Sequence, residues 1–114
     1  MKMFQPWLLA LALLAMAPPG QAQKGIRILI PSDDTCTAFT NAFNNDDRLA
    51  LLDLGGWALG YLSGIAQHSG KDILRDVTSE GLMDRIADAC QRQPNKPMSS
   101  VVMEIGNSLL AGAR

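Results

Sequence analysis

The sequence predicts an all-α fold: a small four-helix domain with one disulfide and a short extended N-terminal arm. Three observations predict it. Apolar residues recur at helical spacing in four separate segments. Cys36 and Cys90 are the only cysteines. One stretch alone, residues 26–30 (Ile-Arg-Ile-Leu-Ile), has the branched composition of a strand, and it has no second strand to pair with.

The chain opens on an apolar run of eleven residues, 7–17, with Lys2 ahead of it and Pro18-Pro19-Gly20 behind it. Residues 1–22 read as a secretory leader cleaved after the small-x-small triplet Gly20-Gln21-Ala22, which makes Gln23 the first mature residue. The rival reading is a membrane anchor, but the run falls short of the roughly 20 apolar residues that cross a hydrocarbon core. The expected compartment is the periplasm, and no stable membrane insertion is expected after cleavage. The remainder, residues 23–114, suits one domain. It divides into an arm, residues 23–34, and a helical domain, residues 35–111. Without Lys2 it carries nine basic and eleven acidic side chains, a formal −2. That balance gives no electrostatic reason to expect nucleic acid or an anionic membrane as a partner. In an oxidising compartment an even cysteine count in so small a domain implies a Cys36–Cys90 bridge. Two cysteines alone make neither a zinc site nor a C-x-x-C redox motif.

After the arm, stopped by Pro31, Ser32-Asp33-Asp34 offers N-cap chemistry for a first helix over residues 35–43. Cys36, Phe39 and Phe43 share its inward face at i, i+3 and i+7. Apolar side chains at 26–30 are expected to be buried, across the helices or against a partner chain. Asn44-Asn45-Asp46-Asp47 forms a polar turn, and the second helix runs from about Arg48 to about Gln67. Its stripe is Leu54, Trp57, Ala58, Tyr61, Leu62 and Ile65, broadened by leucines 49, 51 and 52. An apolar surface this wide implies a central helix or one face of a dimer. Thr78 is the expected cap of the third helix, with Leu82, Met83, Ile86, Ala89 and Cys90 inward and Asp84, Arg85, Asp88 and Arg92 in solvent. Residues 93–97 turn the chain, and Pro97 suits the first position of a fourth helix, whose stripe is Met98, Val101, Val102, Ile105 and Leu109.

The most unusual stretch is residues 55–64, four glycines inside a helical pattern. Each interior glycine costs a helix about 0.5–1 kcal/mol relative to alanine. Gly56, Gly60 and Gly64 fall at i, i+4 and i+8 and predict a smooth packing groove, for a neighbouring helix or for a second subunit. Trp57, Tyr61 and Leu62 form the adjacent ridge, a predicted surface for a second copy or another protein.

No catalytic constellation is found. His68 is the single histidine and ends the second helix, and no G-x-S-x-G elbow is present. Asp33-Asp34 and Asp46-Asp47 lack the alternating pattern of a calcium loop and lie where helix caps are needed. The glycines lack the lysine and hydroxyl residue of a phosphate loop. Asp53 and its polar flanks count against a membrane-spanning reading of this segment. No catalytic, metal or cofactor-binding residue is therefore nominated, and no cofactor is expected.

Taken together, Thr35-Cys36-x-x-Phe39, Trp57-x-x-Gly60-Tyr61-x-x-Gly64, Cys90 followed by Pro94, and a last amphipathic helix resemble the HdeA/HdeB family of small periplasmic acid-stress chaperones. The resemblance covers roughly residues 35–110. It implies an all-helical fold with one disulfide joining the first helix to a later one. It also implies a protein, often dimeric at neutral pH, that loses order in acid and holds unfolded or acid-denatured periplasmic proteins in solution without catalysis. The C-terminus, residues 109–114 with Arg114 as their one charged side chain, and the 26–30 arm depart from that family's pattern. A second resemblance is to Tai-type immunity proteins, which bind secreted cell-wall hydrolases, although those commonly carry more cysteines. A periplasmic subunit docking through its arm is a third reading.

Overall fold

Three of the helices begin at side chains that satisfy their first amides. Thr35, in extended conformation, accepts from the Ala38 N–H at 3.0 Å and opens α1 (Cys36–Asn44). Asp47 accepts from the Ala50 N–H at 3.2 Å and opens α2 (Arg48–Ser69). Thr78 accepts from the Gly81 N–H at 2.9 Å and opens α3 (Ser79–Arg92). The fourth, α4 (Met98–Gly112), follows Pro97, which has no side chain able to cap. The turn into α2 uses Asp46 at φ +50°, and Gly70 at φ +69° closes α2 in the left-handed conformation that glycine tolerates best. This computed structural model describes residue 25 and residues 27–113. The predicted leader, its cleavage site and Ile26 of the arm lie outside the described residues.

The architecture is all-α, as the periodicity predicts, and no strand forms among the described residues. Helix α1 packs on α2 and α3, and α4 packs on the same two helices. Phe39, Leu62, Leu82, Ile86, Met98, Val101 and Val102 are sealed between them. Cys36 and Cys90 are bonded across α1 and α3, with Cα atoms 4.8 Å apart and both residues fully buried. On the chain-entropy model, closing a loop of this size removes about 4 kcal/mol of unfolded-state freedom. That is a large share of a small domain's stability.

Two packing expectations are corrected. The glycines predicted as a groove, Gly56, Gly60 and Gly64, do not seat a neighbouring helix of the domain: a Cβ added at any of them meets nothing within 4 Å, which leaves the second-subunit form of the groove untouched. The glycines that allow close approach between helices are Gly55 and Gly106. A Cβ on Gly55 would lie 2.6 Å from Met83 Sδ, and one on Gly106 would lie 3.0 Å from Ile65 Cδ1 and 3.1 Å from Leu62 Cδ2. Helical spacing showed that three glycines share a face, but not which way the face points. For the arm, burial against a partner chain is not tested by a single chain, and only burial across the helices is corrected. The arm does lie across α2, where the Trp57 indole N–H donates to the Leu29 carbonyl at 2.5 Å. Its side chains are not buried: Leu29 is 84% exposed and Ile28 and Ile30 about half exposed.

These placements make opposite predictions for two glycine sites on facing helices. Gly60→Ala relieves a helix-propensity cost in open space and should raise stability by about 0.5–1 kcal/mol in a urea titration. Gly106→Leu must displace Leu62 and Ile65 and should lower it by about 1–3 kcal/mol. A stability loss in Gly60→Ala would show that its face is packed after all.

Candidate interaction surface

Helix α2 is buried on one side only. Leu54, Gly55, Ala58 and Leu62 point into the core, while Leu49 (80% exposed), Leu52 (72% exposed) and the three open glycines lie opposite. Its most apolar window has a mean hydropathy of 1.4, yet only 22% of that window is buried. By length and composition alone α2 could cross a bilayer, Asp53 notwithstanding. Its buried side is nevertheless a core face shared with the three other helices.

On one flank of the open side, Trp57 and Tyr61 stack with ring centroids 5.2 Å apart and planes at 14°. Both are half-buried, and the arm's Leu29 carbonyl is tied to the indole. Leu62, predicted as part of this ridge, is fully buried and belongs to the core. On the other flank, an apolar groove of about 510 Å³ runs between the first three turns of α2 and the start of α3, with Gly55 and Gly56 in its wall. Leu51, Leu52, Leu59 and Met83 line it, and Arg48 and Glu80 are its charged members. The run of leucines at 49–52 is the sequence signal for this groove; Met83 could not be placed in it without the fold.

A second cluster sits where the entry to α1 meets the start of α4. The Asp34 carboxylate accepts from the Ser99 N–H at 2.7 Å and from the Ser99 hydroxyl. The Cys36 N–H donates to the Lys96 carbonyl at 3.1 Å, and the Thr37 hydroxyl to the Pro94 carbonyl at 3.5 Å. Capping was the predicted role of the acidic pairs, and one member of each performs it. Asp47 caps α2 as expected. Asp34 serves α4, 65 residues away, rather than α1, because Thr35 takes the α1 position and Pro97 leaves α4 without a local cap. Asp33 accepts from the Thr35 hydroxyl at 3.4 Å.

Lys96 Nζ and Glu104 Oε1 approach to 2.5 Å. The hydrogen bond from Lys96 holds the Glu104 carboxyl below its ordinary value, with the Lys96 charge adding to it and partial desolvation opposing it. A lowered folded-state pKa contributes stability that is present above the unfolded carboxylate value and is lost as pH falls through the folded one. Both side chains are about half exposed, so the pair is screened by solvent.

No group of three His, Cys, Asp or Glu side chains among the described residues could hold a metal ion. His68 is exposed on the last turn of α2. Comparison of the chain with protein-family models, with curated proteins and with solved structures finds no match.

Trp57→Phe keeps an aromatic ring against Tyr61, with less stacking area, and removes the indole donor. It should therefore free the arm, seen as faster tryptic cleavage after Arg27, while global stability changes by no more than about 1.5 kcal/mol. Unchanged cleavage would mean that the arm is not held by the Leu29 carbonyl.

Proposed function

We propose that this protein is a non-catalytic, exported binding protein that acts as an acid-stress chaperone in the periplasm, holding unfolded or acid-denatured proteins in solution. The observation that carries the reading is α2. It is a long apolar helix with its outer side open, set in a domain whose core is stapled by a buried disulfide. Leu49, Leu52, Trp57 and Tyr61 form the client surface nearest to solvent at neutral pH. Leu62 joins it only when the core opens.

The chemistry of acidification fits this role. With residues 1–22 removed, protonation of the eleven carboxylates leaves nine basic side chains and His68, a side-chain charge of about +10 at pH 2. Self-repulsion then loosens the domain. The Lys96–Glu104 pair loses its contribution in the same direction. The bridge keeps α1 and α3 together while apolar surface is exposed. A homodimer joined through the open face of α2 would shield that surface at neutral pH. No cofactor enters the proposed activity.

One observation favours a second reading, a Tai-type immunity protein that binds a cell-wall hydrolase. The groove between α2 and α3 is already open in the folded state and needs no acid to form. Acid titration distinguishes the two. A chaperone of the proposed kind should bind an apolar dye and suppress aggregation of an unrelated acid-denatured protein as the pH is taken from 7 to 2, and reduction of Cys36–Cys90 should abolish that protection. A protein that stays folded at pH 2 and protects nothing is not an acid chaperone, and a single tight partner at neutral pH becomes the better account.

A further inference from the structure

The large apolar side chains that the described residues leave exposed belong to two segments only: Ile28, Leu29 and Ile30 of the arm, and Leu49 and Leu52 at the start of α2. Within one chain the two segments do not cover each other. The Trp57 indole holds the Leu29 carbonyl on one flank of α2, and the groove of Leu51, Leu52, Leu59 and Met83 opens on the other. At 100° per residue, Trp57 and Leu59 point about 160° apart round the helix. Each molecule therefore presents an apolar strip and, on the far side of its open face, an apolar trough.

The open face itself is patterned for a second helix. Leu49, Leu52, Gly56 and Leu59 fall at i, i+3, i+7 and i+10, the alternation of a seam between two helices. Arg48 and Asp53 occupy the positions that flank such a seam, and when two copies of it run parallel these two meet across it with opposite charge. The arm and the groove carry a second complementary pair, Arg27 and Glu80. None of the four makes an ion pair among the described residues.

We infer that the occupant of the α2–α3 groove is the arm of a second copy of this chain, exchanged reciprocally across a two-fold axis that runs along α2. Symmetry selects the direction. About such an axis the arm flank of each copy faces the groove flank of the other, and residues keep their level along the helix. Leu29, held at Trp57, then lies beside the Leu59 end of the second copy's groove. An axis crossing α2 would instead bring arm to arm and groove to groove, with Arg27 against Arg27. The arm is already fixed by the indole, so docking it orders little new chain. The exchange names the occupant, at neutral pH, of the surface that the chaperone reading uses; it rests on that reading only for its purpose, and acid does not enter its test.

The test is sedimentation equilibrium of the oxidised protein at pH 7, with circular dichroism as the check on folding. The parent should form a dimer whose share rises with concentration. Leu29→Asp and Leu52→Asp alter residues exposed in the single chain, so each should leave the helical signal unchanged and raise the dissociation constant about tenfold. Arg27→Glu and Glu80→Arg should each raise it about threefold, and the two together should restore it. Arg27 lies outside the helices, so its variant keeps the test open should a helical variant fail to fold. Leu49→Cys should give a disulfide-linked dimer on mild oxidation, because a parallel pair sets position 49 against its own copy.

Any of four results would overturn the exchange. The parent stays monomeric at every concentration, which gives the groove to a different protein; or the dimer keeps its affinity in Leu29→Asp, which gives the contact to the α2 seam alone. Alternatively, the charge swap fails to restore the dimer, or Leu49→Cys does not cross-link. An arm-dependent dimer without protection in acid would leave the exchange standing and remove the chaperone reading. Protection in acid by a chain that is monomeric at pH 7 would do the reverse.

Discussion

The crossing of α1 and α3 at the Cys36–Cys90 bond is the constraint on which the rest of the fold depends. α1 has only nine residues and would not hold a helical conformation alone. The bond holds its inward face against α3, so that Phe39 is sealed beside Leu82 and Ile86. The same crossing brings the entry to α1 alongside the 94–99 turn, where Cys36, Thr37 and Asp34 each bond to that segment. The α4 cap is therefore a geometric consequence of the disulfide.

Around that crossing, α2 plays two parts. Its inner side supplies Leu54, Ala58 and Leu62 to the core, and its outer side remains apolar without a partner helix. Covering so little of an apolar helix forgoes hydrophobic stabilisation of roughly 25 cal/mol for each Å² left in water. Binding another apolar surface would recover it. Gly56, Gly60 and Gly64 make the outer side flat, while Leu49 and Leu52 give it relief at one end.

The sequence made the four helices legible because each combines an amphipathic stripe with a recognisable start or stop. Thr78, Asp47 and Ser69-Gly70 mark boundaries that the structure keeps to within two residues. The disulfide was legible because two cysteines allow one pairing. The orientation of the α2 glycines was not, since periodicity assigns residues to a common face without saying which neighbour that face meets. Leu62 was misplaced on the surface for the same reason: it lies one residue from Tyr61 yet 100° further round the helix, where α4 covers it. The partner of Asp34 was hidden by sequence distance. The clue was local all the same, because a helix starting behind Pro97 lacks a capping side chain and must find one elsewhere.

The position of the bridge also sets how the chain can be stretched. A pull on its two ends is carried through the Cys36–Cys90 bond, so the 54 residues of separation between the cysteines cannot lengthen while the bond is intact. At about 3.3–3.6 Å per residue this withholds on the order of 180–190 Å of contour. A motor drawing the protein in from its C-terminus would peel away α4, reach Cys90 and then have to pass a covalent loop rather than a single strand. Oxidation thus divides the molecule mechanically into a protected loop and an extensible tail.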